Sequence, residues 1–301
     1  AMSHKVFIHL ESNRGYSRDL LRGIYDYNNQ ISHWDIIFEP VYFLKNNQAT
    51  NRISLIESIK PDACILENSE DVALVADLGI PIIQVTSVNH VEGIPYVKGN
   101  YLSDAKLASQ YFTRKGFKSL AFLGIENLEW SVQRMSFFQE MAVSSKAHFS
   151  SFLLKGNEED VLSYNFESLI TWIKSLPKPT GVLCCNDDFG QILINACSMA
   201  QVKVPHEIAV LGIDNDELIC NITYPNLSSI ARNHQSTAFN ICSTLSNMLQ
   251  GKAPEQPIIL TEALEVVERS STETMAITDK EVNKAIQFIS ANIHKAIEVQ
   301  D

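Results

Sequence analysis

Two apolar patterns take turns along this chain. Short unbroken runs, such as those at 181–185 and 208–213, alternate with longer segments whose apolar residues recur at helical spacing. An unbroken run of β-branched residues suits a strand buried on both faces, as in a parallel sheet covered by helices. The expected strands are 6–10, 34–39, 63–67, 81–85 and 94–97, with helices beginning near Ser17 and spanning 50–59, 70–78 and 101–115. Ser17 is the expected cap of the first helix, whose apolar face is Leu20, Leu21, Ile24 and Tyr27, and Gly116 the C-cap of the last.

After Gly116 the alternation restarts, with strands at 118–124, 149–154, 181–185 and 208–213 and helices at 129–143, 158–176 and 188–200. Extended segments at 227–231 and 257–268 flank a helix at 235–250, which suits strands passing between two lobes. The expected architecture is α/β, two Rossmann-like lobes with parallel sheets joined by a three-segment hinge near 116–118, 229–232 and 258–262. The lobes are expected at 1–116 with 232–258, and at 117–231 with 259–276. Beyond them Thr278-Asp-Lys-Glu281 reads as a capping box, and Val282, Ala285, Ile286, Ile289, Ile293 and Ile297 form an apolar stripe in want of a partner.

Two apolar runs end abruptly in short acidic and amide residues, Asn186-Asp187-Asp188 and Asp214-Asn215-Asp216. In an open α/β sheet the carboxyl ends of the strands are where ligands bind, so Asn186, Asp187 and Asp214 are expected to face a crevice. Asp187 and Asp188 also suit the positive end of the next helix, and Asn215 and Asp216 suit the cap of the following turn.

Composition narrows the function. The 301 residues are 45% hydrophobic and 20% charged, ordinary for a globular chain, and the net charge of −11 argues against a large phosphate-binding surface. The six cysteines show no metal-ligand spacing and are expected to be free thiols, with no metal or cofactor. Lacking an apolar span or leader before the first strand, the chain is expected to be cytoplasmic. No Gly-x-Gly-x-x-Gly, phosphate-binding loop or Gly-x-Ser-x-Gly elbow occurs, and no enzymatic activity is expected.

The run GVLCCNDDFGQILINACSMAQVKVPHEIAVLGIDNDELICNITYPNLSSIARN, with VVERSST after it, resembles the effector-binding domain of lactose-repressor-type regulators, over residues 5–272. That domain shares the fold of periplasmic sugar-binding proteins. NRGYSRDLLRGIYDY, SHWDIIFE and the terminal ITDKEVNKAIQFISANIHKAIEV resemble more narrowly the xylose operon regulators, in which an AraC-type DNA-binding domain follows the sensor. The resemblance implies a carbohydrate effector, lobe closure on it, a homodimer, and DNA contact only through that following domain, of which 278–301 would be the first helix. Helices near 50–59 and 70–78 are candidate pairing surfaces.

The resemblance also implies contacts from Glu11, Asn13, Tyr16 and Arg18 in the first strand-to-helix loop, from Asn100, where relatives often carry Asp, and from Trp130 and Arg134. Such residues fit sugar chemistry: carboxylates, amides and guanidinium groups satisfy hydroxyls, and rings stack on C–H faces. Trp130 is equally suited to packing, and Arg134 requires a carboxylate, with Asp187 or Asp214 as the expected partner. A transport-type periplasmic sugar-binding protein, which shares the fold, is the alternative function.

Overall fold

The computed structural model describes residues 3–10, 14–39, 49–86, 88–155, 166–276 and 279–295. In chain order the elements are β1 (Lys5–His9), α1 (Gly15–Tyr27), β2 (Asp35–Phe38), α2 (Ala49–Ile59), β3 (Ala63–Leu66), α3 (Ser69–Ala76), β4 (Ile82–Gln84), β5 (Tyr96–Gly99), α4 (Tyr101–Arg114) and β6 (Ser119–Ile125). There follow α5 (Glu129–Ser144), β7 (His148–Leu154), α6 (Phe166–Ser175), β8 (Thr180–Cys184), α7 (Asp187–Met199), β9 (Ile208–Ile213) and α8 (Glu217–Ile222). The last are β10 (Ser228–Arg232), α9 (His234–Leu249), β11 (Ile258–Thr261), β12 (Ala263–Val267) and α10 (Lys280–Asn292).

The chain divides into two compact units, 1–100 with 232–262 and 101–231 with 263–301. Each carries a six-stranded sheet, ordered β11-β5-β4-β3-β1-β2 in the first and β12-β10-β9-β8-β6-β7 in the second. The central pairings run parallel, for example Val6 against Ala63 and Leu120 against Gly181. Two boundaries differ from expectation. Helix α4 belongs to the second unit, because Ala105, Ala108 and Phe112 are buried in that unit's core. The chain leaves the first unit only after Glu262, because β11 is hydrogen-bonded along β5.

The lack of polar alternation in the strands has a visible cause. In the first unit Val6, Ile8, Ala63 and Ile65 face a layer built with Leu20, Ile24, Ile241 and Leu245 of α1 and α9. The intervening Phe7, Cys64 and Leu66 face the opposite layer, built with Ile56, Val72 and Val75 of α2 and α3. Strand geometry sends successive residues to opposite faces, and helices cover both, so consecutive positions in the middle of β1 and β3 are apolar.

Local signals hold with some substitutions. Gly116 does end α4, at φ +87, a left-handed conformation that glycine adopts without steric cost. Ser17 does not cap α1: the helix begins at Gly15, Arg14 occupies the cap position without a side-chain capping bond to the helix, and Ser17 is buried inside the first turn. The cap of α10 is Asp279, whose carboxylate accepts from the backbone N–H groups of Glu281 and Val282 at 2.9 and 3.0 Å. Thr278 and Ile297 lie outside the described residues. Val282, Phe288 and Ile289 are exposed on α10, and Ile293 directly after it. Among the described residues no helix is long and apolar enough to cross a membrane.

Candidate ligand-binding site

In the second unit the strand order reverses between β6 and β8, and the loops leaving the carboxyl ends of β6, β8 and β9 gather the polar residues there. The centre is Arg134 on α5, only 5% exposed. Its Nη1 donates to the carbonyl of Cys185 at 2.5 Å, just past the end of β8. Its guanidinium carbon lies 5.3 Å from the Tyr101 ring and 5.2 Å from the Trp130 ring, so it is flanked by two aromatic faces. Trp130 is half-buried and also packs on the unit's core, so packing and site placement coexist in one side chain.

The carboxylate that acts most strongly on Arg134 was not among those expected, and the expected Asp214 comes second. Asp104, on the first turn of α4 and 1% exposed, places Oδ2 3.4 Å from the Arg134 Nε. Burial alone would lower the guanidinium pKa; Asp104, then Asp214, Tyr101 and Cys185, outweigh it and hold it above the ordinary value. Asp104 left a trace in the sequence that went unread. It sits with Tyr101, Ala105 and Ala108 on the buried stripe of α4, and a carboxylate on such a stripe requires a buried cation.

Asp187, expected at the crevice, is turned into its own unit. It is 2% exposed, and its two oxygens accept from the Ser229 hydroxyl at 2.5 Å and the Asp216 backbone N–H at 2.7 Å. Burial raises its pKa well above the ordinary carboxyl value, Asp214 adding to the effect. A Cβ on Gly212 would stand 2.2 Å from its Oδ1, so the close approach of β9 to this carboxyl requires glycine. Asp187 thereby braces the loop after β9. In that loop Asp214 and Asn215 both have positive φ, 102 and 52, and Asp216 caps α8. Two successive non-glycine residues in that region store strain, which the braces from Asp187, Ser229 and Arg269 hold in place.

Asn186 caps α7, accepting from the Phe189 N–H at 3.1 Å, while its amide donates to Asp188 at 3.3 Å. Capping fixes the side chain beside the Cys185 carbonyl that Arg134 holds. The structure thus brings Trp130, Arg134, Asn186 and Asp214 to one edge, and adds Tyr101 and Asp104.

In the first unit the Tyr16 hydroxyl donates to Glu67, at the end of β3, and its ring lies 6.4 Å from that of His234. Arg18 is exposed on α1. Asn100 donates to both carboxylate oxygens of Glu262 at 2.9 Å. Neither Glu67 nor Glu262 stood out in the sequence, since each follows a short strand with no local motif. Glu11 and Asn13 lie outside the described residues.

A further charged group, also unforeseen, is buried at the ends of β1 and β2. Arg52 donates from Nε to Glu39 at 2.8 Å and from Nη1 to Asp71 at 2.5 Å, and His9 Nδ1 lies 3.4 Å from the same Glu39 carboxylate. Burial first, then Arg52, lowers the His9 pKa.

Fold and polar edge define a ligand-binding domain, and the chain belongs to the periplasmic binding protein-like domain family, whose model matches residues 109–272. Among individual proteins, it is 28% identical over 297 residues to the xylose operon regulatory protein of Haemophilus influenzae, covering 95% of this chain and 75% of that protein. The structure of the xylose-binding transcription activator xylR superposes with a TM-score of 0.81 at 22% identity, over 100% of this chain and 77% of that one. A periplasmic binding protein/LacI transcriptional regulator from Alkaliphilus metalliredigens complexed with D-xylulofuranose gives 0.66 at 17% identity, over 91% of this chain and 100% of that one.

Proposed function

We propose that this chain is the ligand-sensing part of a bacterial transcription regulator and that its effector is a pentose or related carbohydrate. The observation that carries the reading is the edge of the second unit, where a buried guanidinium lies between two aromatic rings beside Asn186 and Asp214. Sugar hydroxyls donate and accept at once, so they match a site offering a carboxylate acceptor, amide and guanidinium donors, and an aromatic wall. The names of its relatives support the same reading, and they are regulators rather than enzymes. Tyr16, Arg18, Asn100, Trp130, Arg134, Asn186 and Asp214 are assigned to recognition, and Asp187 to holding the Asp214 loop.

Signal output belongs to a DNA-binding domain of AraC type that begins with α10, whose exposed Val282, Phe288 and Ile289, with Ile293 directly after it, suit a face covered by further helices. The regulator works in the cytoplasm as a homodimer. Leu55, Leu74 and Leu78, exposed on and next to α2 and α3, support pairing through that face.

Thermal unfolding with a panel of pentoses, hexoses and disaccharides tests the reading. A ligand of the folded state at about a hundredfold its dissociation constant adds roughly 2.7 kcal/mol. The expected result is a rise in Tm for one sugar that Arg134→Ala and Asp214→Ala abolish. A panel without effect, or a rise unaltered by both substitutions, overturns it.

A further inference from the structure

We propose that Asp104 sets the charge of the carbohydrate this site accepts: by pairing with Arg134 inside the second unit, it makes the edge selective for uncharged sugars and closed to sugar acids and sugar phosphates. The inference rests on the carbohydrate-site reading above and deepens it.

An unpaired arginine beside aromatic rings is the natural receptor for a carboxylate or phosphate, whose oxygens match the guanidinium fork. Here part of the fork is already engaged. Nε faces Asp104 at 3.4 Å, Nη1 holds the Cys185 carbonyl at 2.5 Å, and the guanidinium carbon lies 5.3 and 5.2 Å from the rings of Tyr101 and Trp130. Asp104 is 1% exposed and sits on a helix packed into the core, so it cannot swing away to release the cation. Asp214 adds a second negative group within electrostatic reach of Arg134.

The neighbouring guanidinium offers no substitute. Arg269 donates to the Leu227 carbonyl and to the Asn215 side chain, each at 2.9 Å. Among the described residues of this edge, then, one cation is matched by Asp104 and faced by Asp214. At this edge an anionic ligand would bring its charge beside those of Asp104 and Asp214, which burial penalises heavily. An uncharged sugar meets no such penalty. Its hydroxyls can accept from the remaining Arg134 N–H groups and donate to Asp214.

Isothermal titration of the wild-type chain and Asp104→Asn with D-xylose, D-galactose and D-glucose, and with D-galacturonate and D-glucose 6-phosphate, tests this. In the wild type an uncharged sugar is expected to bind and both anions to bind at least tenfold more weakly. In Asp104→Asn that preference is expected to fall by tenfold or more, a change of ligand charge preference that a merely structural role for Asp104 would not produce. Asp104→Glu, which keeps the charge, is expected to retain the preference. Tighter wild-type binding of either anion than of every uncharged sugar would overturn the inference, as would an unchanged preference in a folded Asp104→Asn. Should Asp104→Asn not fold, the wild-type comparison decides alone. Absence of binding by all five probes overturns the carbohydrate reading itself, and this inference with it, and is recognisable because it does not depend on ligand charge.

Discussion

Replacing Arg134 by methionine removes the charge while keeping most of the side-chain volume between Tyr101 and Trp130. Asp104, 1% exposed, is then a carboxylate without its cation. Breaking one side of such a buried pair costs about 3–5 kcal/mol, mostly the penalty of the charge left behind. Asp104→Leu alone is expected to cost somewhat less, about 2–3 kcal/mol, because Arg134 keeps the Cys185 carbonyl and the nearby Asp214. The double variant Asp104→Leu/Arg134→Met buries no orphan charge and should lie within about 1.5 kcal/mol of wild type, giving a coupling of about 3 kcal/mol or more. Urea unfolding followed by tryptophan fluorescence reads this out, with the buried Trp172 reporting on the second unit. The pH dependence supplies an independent sign. In Arg134→Met the folded-state pKa of Asp104 rises above its unfolded value, so the penalty is absent at low pH and appears as pH rises through the folded pKa. That variant should therefore gain stability relative to wild type as pH falls below neutrality. A cost under about 1 kcal/mol for Arg134→Met, or a double variant as unstable as the sum of the singles, would refute the reasoning.

The lowered His9 pKa makes its contribution to stability present above about 6.5 and lost as pH falls through the folded-state value, since unfolding then takes up a proton. His9→Gln is expected to flatten that acid-side loss between wild-type and variant melting curves; parallel curves would count against it. Burial pushes the thiols of Cys64, Cys197 and Cys242 up to about 12, so at pH 8 only about one in ten thousand of each is thiolate. All six thiols are buried, and none should react quickly with an aromatic disulfide reagent in the native protein, while all six react in denaturant. One fast thiol in the native chain would contradict the burial argument.

Sheet-forming runs and their following helices were readable because both covered faces of a parallel sheet demand apolar residues at consecutive positions, a demand that leaves a continuous mark. Asn186 and Asp214 were readable for the related reason that such runs stop at the sheet's carboxyl edge. Capping was harder. Ser17 and Asp279 share the chemistry of a cap, and the helix start decides which is used; of these two, Asp279 caps its helix and Ser17 does not.

Pairing of charges was decided by tertiary packing. Arg134 declared its need for a carboxylate, but Asp104, Asp187 and Asp214 carry the same group, and nothing in the residue types says which of them reaches it: Asp104 does because α4 packs on α5 and turns that stripe inward, while Asp187 is turned onto Gly212 and Ser229. The same holds for His9, Glu39, Arg52 and Asp71, which come from separate elements of the first unit and meet only where β1, β2, α2 and α3 converge. Burial of apolar surface is non-directional and shows in the order of residues, whereas a buried charge takes its meaning from a partner a few ångströms away, and that neighbour is set only when the chain has folded.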